Sequence, residues 1–324
     1  MTRRLILQSI DDYLGPASGR FFGAGYRRSQ YSFGAPVVTD EAFRSTVDIR
    51  YPVDWSKKRE GDDLRPHLST VDVMVLAARC AETLLERRFG LSEAELGDAR
   101  IRKTLIRAGT EPQEDLDGVP LTARITRSVP REDGDGLVST FETRVGVMMA
   151  RLQVEHRAGS GAPEAGDDWS TLTGRDDRYW GTGFRREDQL VENVNAELDE
   201  LRCHADVKLL REERTAGLGS THAPVVTLID GFVTLLQLGQ VLLYELDGLD
   251  RSNSDTLWMQ QVVLRQGEPP SAEGNDGTAS LTVSDHQLLT MPDGRWRNAE
   301  LRGQMGGVSM TAAFAHRIAR TDED

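Results

Sequence analysis

The sequence is poor in lysine and in cysteine. Only 4 of its 324 residues are Lys, whereas 35 are Arg. The two cysteines, Cys80 and Cys203, lie in apolar or mixed segments, at no spacing typical of a metal site or a disulfide framework. We therefore expect a protein of the reducing cytoplasm that has no structural metal and no resident cofactor.

Positive charge is also in deficit. The chain has 39 basic and 52 acidic side chains, which gives a formal net charge of −13. Proteins that bind nucleic acids or anionic membranes present basic surfaces, so this balance argues against both partners. The hydrophobic share of 38% and the length suffice for a sizeable core.

Long apolar runs are scarce as well. Near the start, the apolar stretch Leu5–Leu7 is far shorter than a signal-peptide core, so we expect no secretion by that route. The one membrane-like span, Val225–Tyr244, contains Asp230, Gln237 and Gln240, which are costly in hydrocarbon. It predicts a buried helix of a soluble domain.

Several familiar catalytic motifs are missing. The chain has no Walker loop, no Gly-x-Ser-x-Gly elbow and no His-Glu-x-x-His. Two Gly-x-Gly segments lack the third glycine that opens a helix in dinucleotide-binding folds. Four histidines are scattered over predicted strands without a ligand pattern, namely His156, His204, His286 and His316.

An internal repeat is the most informative feature that is present. The segments RFFGAGYRR (20–28) and RYWGTGFRR (178–186) are separated by 158 positions. The same offset, kept without gaps, places Asp72 on Asp230 and aligns further clusters in the same order. Repetition at a fixed offset is typical of a duplicated structural unit, so we interpret the chain as two diverged copies of one module.

The repeat also predicts the domain boundaries. Residues 158–170 are rich in Gly, Ala and acidic side chains and have no hydrophobic periodicity, as expected of a linker. We assign the first module to residues 1–157 and the second to residues 171–324.

In each copy, the hydrophobic pattern predicts a strand, then a helix and then a run of strands. The helices are apolar around most of their circumference, which indicates enclosure, and the later strands alternate as antiparallel strands do. Asp-Gly at 135–136 and 293–294 predicts hairpins. The predicted elements are Thr46–Tyr51, Thr70–Arg88, Arg100–Arg107, Leu121–Val129 and Ser139–His156, then Ala205–Leu210, Thr227–Leu246, Leu257–Arg265, Ala279–Leu289 and Trp296–His316.

An antiparallel sheet that curls around one buried helix would bury every apolar face. This is the hot-dog arrangement, and two such modules in one chain resemble the double hot-dog proteins, whose halves pack side by side. We therefore predict an α+β fold of two tandem hot-dog-like modules, each an antiparallel sheet wrapped around a buried central helix.

A histidine precedes an aspartate near the start of each predicted helix. His67 stands five residues before Asp72, and His222 stands eight residues before Asp230. Either imidazole could act as a general base, with the aspartates orienting it or carrying protons. Alternatively, each aspartate satisfies free backbone N–H groups at a helix start. Both interpretations stay open.

The two repeated segments offer candidates for substrate binding. Arginine forms paired hydrogen bonds to anions such as a phosphate or the phosphorylated pantetheine arm of a carrier. Alternatively, the segments are glycine-rich turns whose aromatic residues seal the base of each module. The candidate substrate-binding residues are Arg20, Arg28, Arg178, Tyr179, Trp180 and Arg186.

The N-terminal run Ser9–Pro16, followed by Arg20–Tyr26, resembles the opening of the avirulence protein D family of plant-associated bacteria. His67–Asp72, Arg178–Gly181 and the strand with Trp258 are similar in type to what that family carries. The resemblance implies an enzyme of syringolide biosynthesis, which makes acylated, sugar-derived lactone signals from a β-ketoacyl thioester and a pentulose such as xylulose.

The resemblance thus implies an acyltransferase or condensing enzyme whose donor is attached to coenzyme A or acyl carrier protein. The chain also resembles the A-factor synthases, which join a β-ketoacyl chain to a glycerol-type phosphate. Two rival classes remain: a hot-dog thioesterase or dehydratase, and a non-catalytic ligand-binding protein. A homodimer and docking of an acidic carrier protein at surface arginines also stay open.

Overall fold

The computed structural model describes residues 3–56, 65–160, 177–211, 215–222, 226–251, 257–267, 276–292 and 294–318. Most of the predicted linker lies outside these residues, as does Asp293 of the second predicted hairpin.

The described residues form a large antiparallel sheet with helices packed on it. The strands are β1 (Arg4–Ser9), β2 (Gln30–Phe33), β3 (Val37–Val38), β4 (Ala42–Arg50), β5 (Arg100–Arg107), β6 (Val119–Pro130), β7 (Leu137–Val145), β8 (Met148–His156), β9 (Glu187–Glu197), β10 (Arg202–Arg211), β11 (Trp258–Gln266), β12 (Asp276–Met291), β13 (Gly294–Met305) and β14 (Val308–Ile318). The α-helices are α1 (Asp11–Leu14), α2 (Thr70–Phe89), α3 (Glu93–Asp98) and α4 (Leu228–Asp247).

These strands belong to one 14-stranded sheet, in the order β1-β9-β10-β12-β13-β14-β11-β5-β8-β7-β6-β4-β2, with β3 paired to β4. The expectation of one sheet per module is therefore wrong. Strands β5 and β11, which would be edges of separate sheets, pair with each other in antiparallel fashion. An exposed strand edge is an unsatisfied row of backbone donors and acceptors, and this pairing removes two such edges.

The offset of 158 positions recurs in the geometry. Across the β5–β11 pair, Leu105 lies opposite Val263, its own counterpart in the repeat. An antiparallel pair in which a residue meets its counterpart is what a two-fold axis produces. Helices α2 and α4 begin and end at positions that differ by the same offset. The two halves of the sheet therefore face each other with pseudo-two-fold symmetry.

The two long helices are enclosed, as predicted. Every residue of α2 from Thr70 to Leu85 is buried, and in α4 burial runs from Leu228 to Tyr244 with one interruption. Each helix ends at a glycine in the left-handed region, Gly90 at φ +62° and Gly248 at φ +64°. Only glycine adopts this conformation without strain, so both helices stop at the corresponding position.

Helix α4 is, among the described helices, the one long and apolar enough to cross a membrane by length and composition. Its apolar window has a mean hydropathy of 1.2, and 89% of that window is buried inside the fold. Burial against the sheet accounts for the apolar composition of this helix.

Two long predicted strands are each a pair of strands. The predicted strand Ser139–His156 is β7 and β8, and the predicted strand Trp296–His316 falls in β13 and β14. Two-residue turns separate them at positions 146–147 and 306–307. Gly146 has φ +53° and Gly306 has φ +48°, as tight hairpin turns require.

The N-terminal segment crosses to the second half of the sheet. Strand β1 pairs with β9, and the backbone N–H of Ile10 donates to Val191 O at 3.0 Å. The Tyr13 hydroxyl then donates to Glu245 on α4 at 2.8 Å. This path carries the segment that follows, which contains Arg20, to the side of α4.

The pairing between the halves is open to a direct test. Leu264 on β11 is fully buried, and we expect Leu264→Ala to lower the free energy of unfolding by about 2–5 kcal/mol through lost burial and a cavity. The neighbouring Arg265 is exposed, and we expect Arg265→Ala to cost less than about 0.5 kcal/mol. Chemical denaturation measures both. Equal costs would contradict a packed junction at β11.

Candidate functional site

A cavity of about 450 Å³ lies between the N-terminus of α2 and the side of α4. Its wall is largely apolar and includes aromatic rings from both halves of the chain. Aromatic lining residues are Phe21, Phe22, Trp55, Phe232, Trp258 and Phe314. Polar and charged lining residues include Arg20, Arg65, His67, Gln113, Gln240 and Arg251.

The aromatic residues form a continuous wall. The rings of His67 and Trp55 lie 5.8 Å apart edge to face, and the ring of Trp55 lies 5.5 Å from that of Phe21. Phe21 then contacts Phe22 at 5.1 Å, and Phe22 contacts Phe232 of α4 at 5.9 Å. Edge-to-face packing of this kind fixes ring orientation, so the wall holds its shape from the imidazole to α4.

His67 lines the cavity in a partly buried position. It precedes α2, and burial lowers the pKa of its imidazole. A lowered pKa keeps the ring neutral near pH 7, with one nitrogen able to accept a proton. Its backbone is held on both sides, because Leu68 N donates to Gln113 O at 2.9 Å and the Tyr51 hydroxyl donates to His67 O at 3.1 Å.

Asp72 is fully buried behind the start of α2 and does not line the cavity. It forms a capping box with Ser69: Ser69 N donates to its carboxylate at 3.0 Å, and Asp72 N donates to Ser69 Oγ at 3.1 Å. The hydroxyls of Tyr31 and Tyr51 also donate to this carboxylate. Helix capping, the alternative to catalysis for Asp72, is thus part of its role.

The two tyrosines remain protonated donors. Burial, together with the nearby Asp72 carboxylate, raises the pKa of Tyr31 and of Tyr51 well above the ordinary tyrosine value. Tyr51 contacts both the Asp72 carboxylate and the His67 carbonyl. The network therefore ties the backbone of His67 to the first turn of α2.

The first turn of α2 lies at the cavity and has backbone donors outside the capping box. The first N–H groups of a helix have no partner within the helix, and the capping box engages those of Ser69 and Asp72. The box does not use the amides of Thr70 and Val71, and Ser69 and Thr70 both line the cavity. Such donors, with the positive end of the helix dipole, can stabilise a developing oxyanion.

The counterpart residues are arranged differently in the second half. Asp230 caps α4 with Thr227 and accepts a hydrogen bond from Gln189 Nε2 at 2.7 Å. His222 does not lie over this carboxylate; its Nε2 donates to the Asp98 carbonyl at 2.9 Å. It borders a polar pocket of about 410 Å³, which His156 also lines. The structure thus brings His67, and not His222, to the apolar cavity.

Of the candidate arginines, Arg20 lies at the cavity. Its side chain is only 4% exposed, and its guanidinium donates to Gln237 of α4 and to Asp11. Arg28 is on the surface, where it pairs with Asp54 at 2.9 Å. Arg186 is likewise exposed.

Arg178, the counterpart of Arg20, is enclosed by carboxylates. Its guanidinium lies 3.4 Å from Glu82, 2.8 Å from Glu86 and 2.5 Å from Glu93. Glu82 also accepts from Leu218 N at 2.6 Å, and burial raises the pKa of Glu82 to about 7. The surroundings of Arg178 are thus filled by protein ligands.

Tyr179 and Trp180, which were candidates for substrate binding, are buried in the second half. The rings contact each other at 5.0 Å edge to face. The Tyr179 hydroxyl donates to Thr227 Oγ1 at 2.6 Å, and the Trp180 indole donates to Leu218 O at 3.3 Å. They occupy the positions that Phe21 and Phe22 hold at the cavity wall. These contacts fit the alternative in which the aromatic residues seal a module.

Sequence reasoning missed several residues of this site. Trp55, Tyr244 and Arg251 line the cavity, and Tyr31 and Tyr51 lie behind it. For Tyr244 there was a signal, because Gln237, Gln240 and Tyr244 form a polar stripe on an otherwise apolar helix. Arg251 gave no such signal, since it lies beyond the helix in a polar segment.

The fold and the cavity define a class: an α+β protein with an apolar chamber, a neutral imidazole and a helix N-terminus at its wall. The family model described as Pseudomonas avirulence D protein (AvrD) matches residues 5–319. The chain therefore belongs to the AvrD family, as the N-terminal resemblance predicted. No curated protein sequence matches the chain.

Solved structures with hot-dog and thioesterase titles are similar at low identity. The 12:0-ACP thioesterase from Umbellularia californica has 13% identity and a TM-score of 0.41, covering 85% of this chain and 94% of its own. The tesB protein of Mycobacterium avium subspecies paratuberculosis has 8% identity and a TM-score of 0.42, with coverages of 88% and 95%. A hot-dog protein from Alicyclobacillus acidocaldarius has 10% identity and a TM-score of 0.40, with coverages of 89% and 97%.

The buried carboxylate beside Arg178 predicts a pH-dependent stability. Folding raises the Glu82 pKa from 4.5 to about 7, so the folded state binds the extra proton between these values. Stability from this group is therefore present below pH 4.5 and lost as the pH rises through 7. Relative to Glu82→Gln, the wild type should lose up to about 1.4 kcal/mol of unfolding free energy per pH unit in this window. Denaturation at a series of pH values measures this; parallel curves would contradict it.

Proposed function

We propose that this member of the AvrD family condenses a β-ketoacyl thioester with a pentulose-type sugar and releases the carrier thiol. The supporting observation is the cavity, which combines an apolar wall, the imidazole of His67 and the N-terminus of α2. The family assignment supports an acyl-thioester substrate. The two halves of the chain, 1–157 and 171–324, act in this proposal as tandem hot-dog-like modules that share one working site.

The acyl chain lies along the apolar part of the cavity in this proposal. Phe22, Phe232 and Leu236 supply apolar surface there, and burial of an acyl methylene is worth about 0.8 kcal/mol. The thioester carbonyl then lies at the start of α2, where the helix dipole and the first-turn amides stabilise the oxyanion.

The first chemical step is acyl transfer. Neutral His67 accepts the proton of a sugar hydroxyl, whose oxygen attacks the thioester carbonyl. The C–O ester bond forms, the C–S bond breaks, and the imidazolium returns its proton to the leaving thiolate. The β-ketoester product can then close internally, because the acidic carbon between its two carbonyls can add to the ketone of the sugar.

Asp72 serves this step as a positioning residue. It holds the first turn of α2 through Ser69 and links to the His67 backbone through Tyr51, without touching the cavity. Asp230 has the corresponding capping role in α4. The sequence left open whether these carboxylates transfer protons directly. In this proposal they do not; each acts by capping the start of its helix.

The decisive experiment is mass spectrometry of the purified protein incubated with a β-ketoacyl thioester, with and without xylulose, while free thiol is followed. We expect a product that contains both the acyl and the pentulose mass, and thiol release that depends on the sugar. Thiol release without sugar would indicate a thioesterase instead. Loss of water from a β-hydroxyacyl thioester, supplied in place of the β-ketoacyl donor, would indicate a dehydratase.

The two histidines provide a matched pair of variants. We expect His67→Gln to lower turnover by about 100-fold or more, because it removes the general base while keeping a polar side chain of similar size. His222→Gln should retain nearly full turnover, since His222 lies at a different pocket. Steady-state rates of thiol release measure both, with circular dichroism as a folding control. Equal losses in the two variants would contradict the assignment of His67.

A further inference from the structure

We propose that Arg20 and Arg251 form a subsite for a phosphoryl group carried by a substrate of this cavity. The proposal rests on the proposed function, because it adds the chemical class of a substrate group to the same site. Both arginines line the cavity, and Arg251 has had no role so far.

The repeat supplies an internal comparison for Arg20. Arg178 of the second half is surrounded by the carboxylates of three residues of the first half, namely Glu82, Glu86 and Glu93. At the offset of 158, these three glutamates correspond to Gln240, Tyr244 and Arg251 of the second half. All three line the cavity together with Arg20. Each carboxylate beside Arg178 thus corresponds to a neutral or cationic residue in the lining of the cavity that holds Arg20.

This exchange reverses the local charge. Three potential negative charges face Arg178, whereas Arg20 has Asp11 as its ion-pair partner and a second arginine nearby. Burial is the main cause that lowers the pKa of Arg20; the Asp11 carboxylate opposes it, and the charge of Arg251 adds a smaller lowering. Two guanidiniums that line one partly apolar wall offer an anion two positively charged donors.

The arginines have donor capacity and fixed positions. Arg251 donates to Gly19 O at 3.0 Å and to Ser56 Oγ at 3.4 Å, which anchors it beside the Arg20 segment. The Arg20 side chain is only 4% exposed, and its Nε has no hydrogen-bond partner among the described residues. A planar guanidinium with such capacity suits the several oxygens of a phosphoryl group.

The subsite lies close to the base but separate from it. Ser56, which contacts Arg251, follows Trp55, and the Trp55 ring packs edge to face against His67. A substrate held by its phosphoryl group at the arginines would extend past Trp55 toward the imidazole. Two sources have this chemistry: the phosphopantetheine arm of the thioester carrier, and a phosphorylated sugar acceptor.

Two probe pairs test the subsite by binding alone. The pairs are 4′-phosphopantetheine with pantetheine, and xylulose 5-phosphate with xylulose, each titrated calorimetrically into the full-length protein. We expect the phosphorylated member of one pair to bind at least about tenfold more tightly, as a charge-assisted contact predicts. The pair that shows the preference identifies the source. Equal binding within both pairs, or no binding of any probe, would overturn the proposal.

Variants then assign the preference to the arginine pair. Arg251→Gln should reduce the preference to less than about twofold, while Arg251→Lys keeps most of it because the charge remains. Gln240→Glu introduces beside Arg20 the carboxylate that Glu82 supplies beside Arg178, and it should also reduce the preference, with both arginines intact. Arg127→Gln removes an exposed arginine on β6 and should change nothing. A preference that survives both Arg251→Gln and Gln240→Glu would contradict the subsite.

Failure of this subsite is distinguishable from failure of the proposed function. Thiol release from an N-acetylcysteamine thioester with xylulose involves no phosphate in either substrate. Sugar-dependent turnover of that pair, without any phosphate preference in binding, would leave the condensation standing and remove the subsite. A phosphate preference that depends on Arg251, without turnover of any donor, would support the subsite and contradict the condensation.

Discussion

The antiparallel pairing of β5 with β11 is the interaction on which the rest of the structure depends. It joins the two halves into one sheet, with Leu105 opposite Val263 at the pseudo-two-fold axis. Because the halves are related in this way, the start of the helix in one half comes to face the side of the helix in the other. The cavity therefore exists only between the halves, since α2 supplies its polar end and α4 supplies much of its apolar wall.

Duplication produced two equivalent regions that the chain has used differently. At one, glutamates from α2 and α3 enclose Arg178, and Tyr179 and Trp180 are bonded into the second half. At the other, the corresponding positions line the cavity. Loss of one partner from a buried ion cluster leaves an uncompensated buried charge, which is costly. The three glutamates and Arg178 therefore depend on one another. At the other region the corresponding positions carry Gln240, Tyr244 and Arg251, and we propose that this region binds the substrate.

Sequence patterns predicted regular elements well and irregular ones poorly. The buried helices follow from a continuous apolar surface and a capping box, and β6 follows from its alternation of Leu121 and Ala123 with polar neighbours. Strand β9 escaped prediction because Asn193, at φ +50°, interrupts it, so that Val191 and Val194 are both buried three positions apart. Helix α3 escaped although Ser92 and Glu95 form a capping box, which is a readable signal.

The sequence by itself determined the repeat, the two enclosed helices and the membership of the AvrD family, because each follows from a sequence pattern or from a fixed offset. It left open whether Asp72 and Asp230 cap the helices or transfer protons. Only the tertiary structure decided that the sheets merge, that His67 rather than His222 reaches the cavity, and that Arg251 joins Arg20 there. Those outcomes depend on contacts between residues far apart in the chain, such as Arg251 with Gly19 and Phe22 with Phe232. Local periodicity has no information about such contacts, since they follow from how the halves pack.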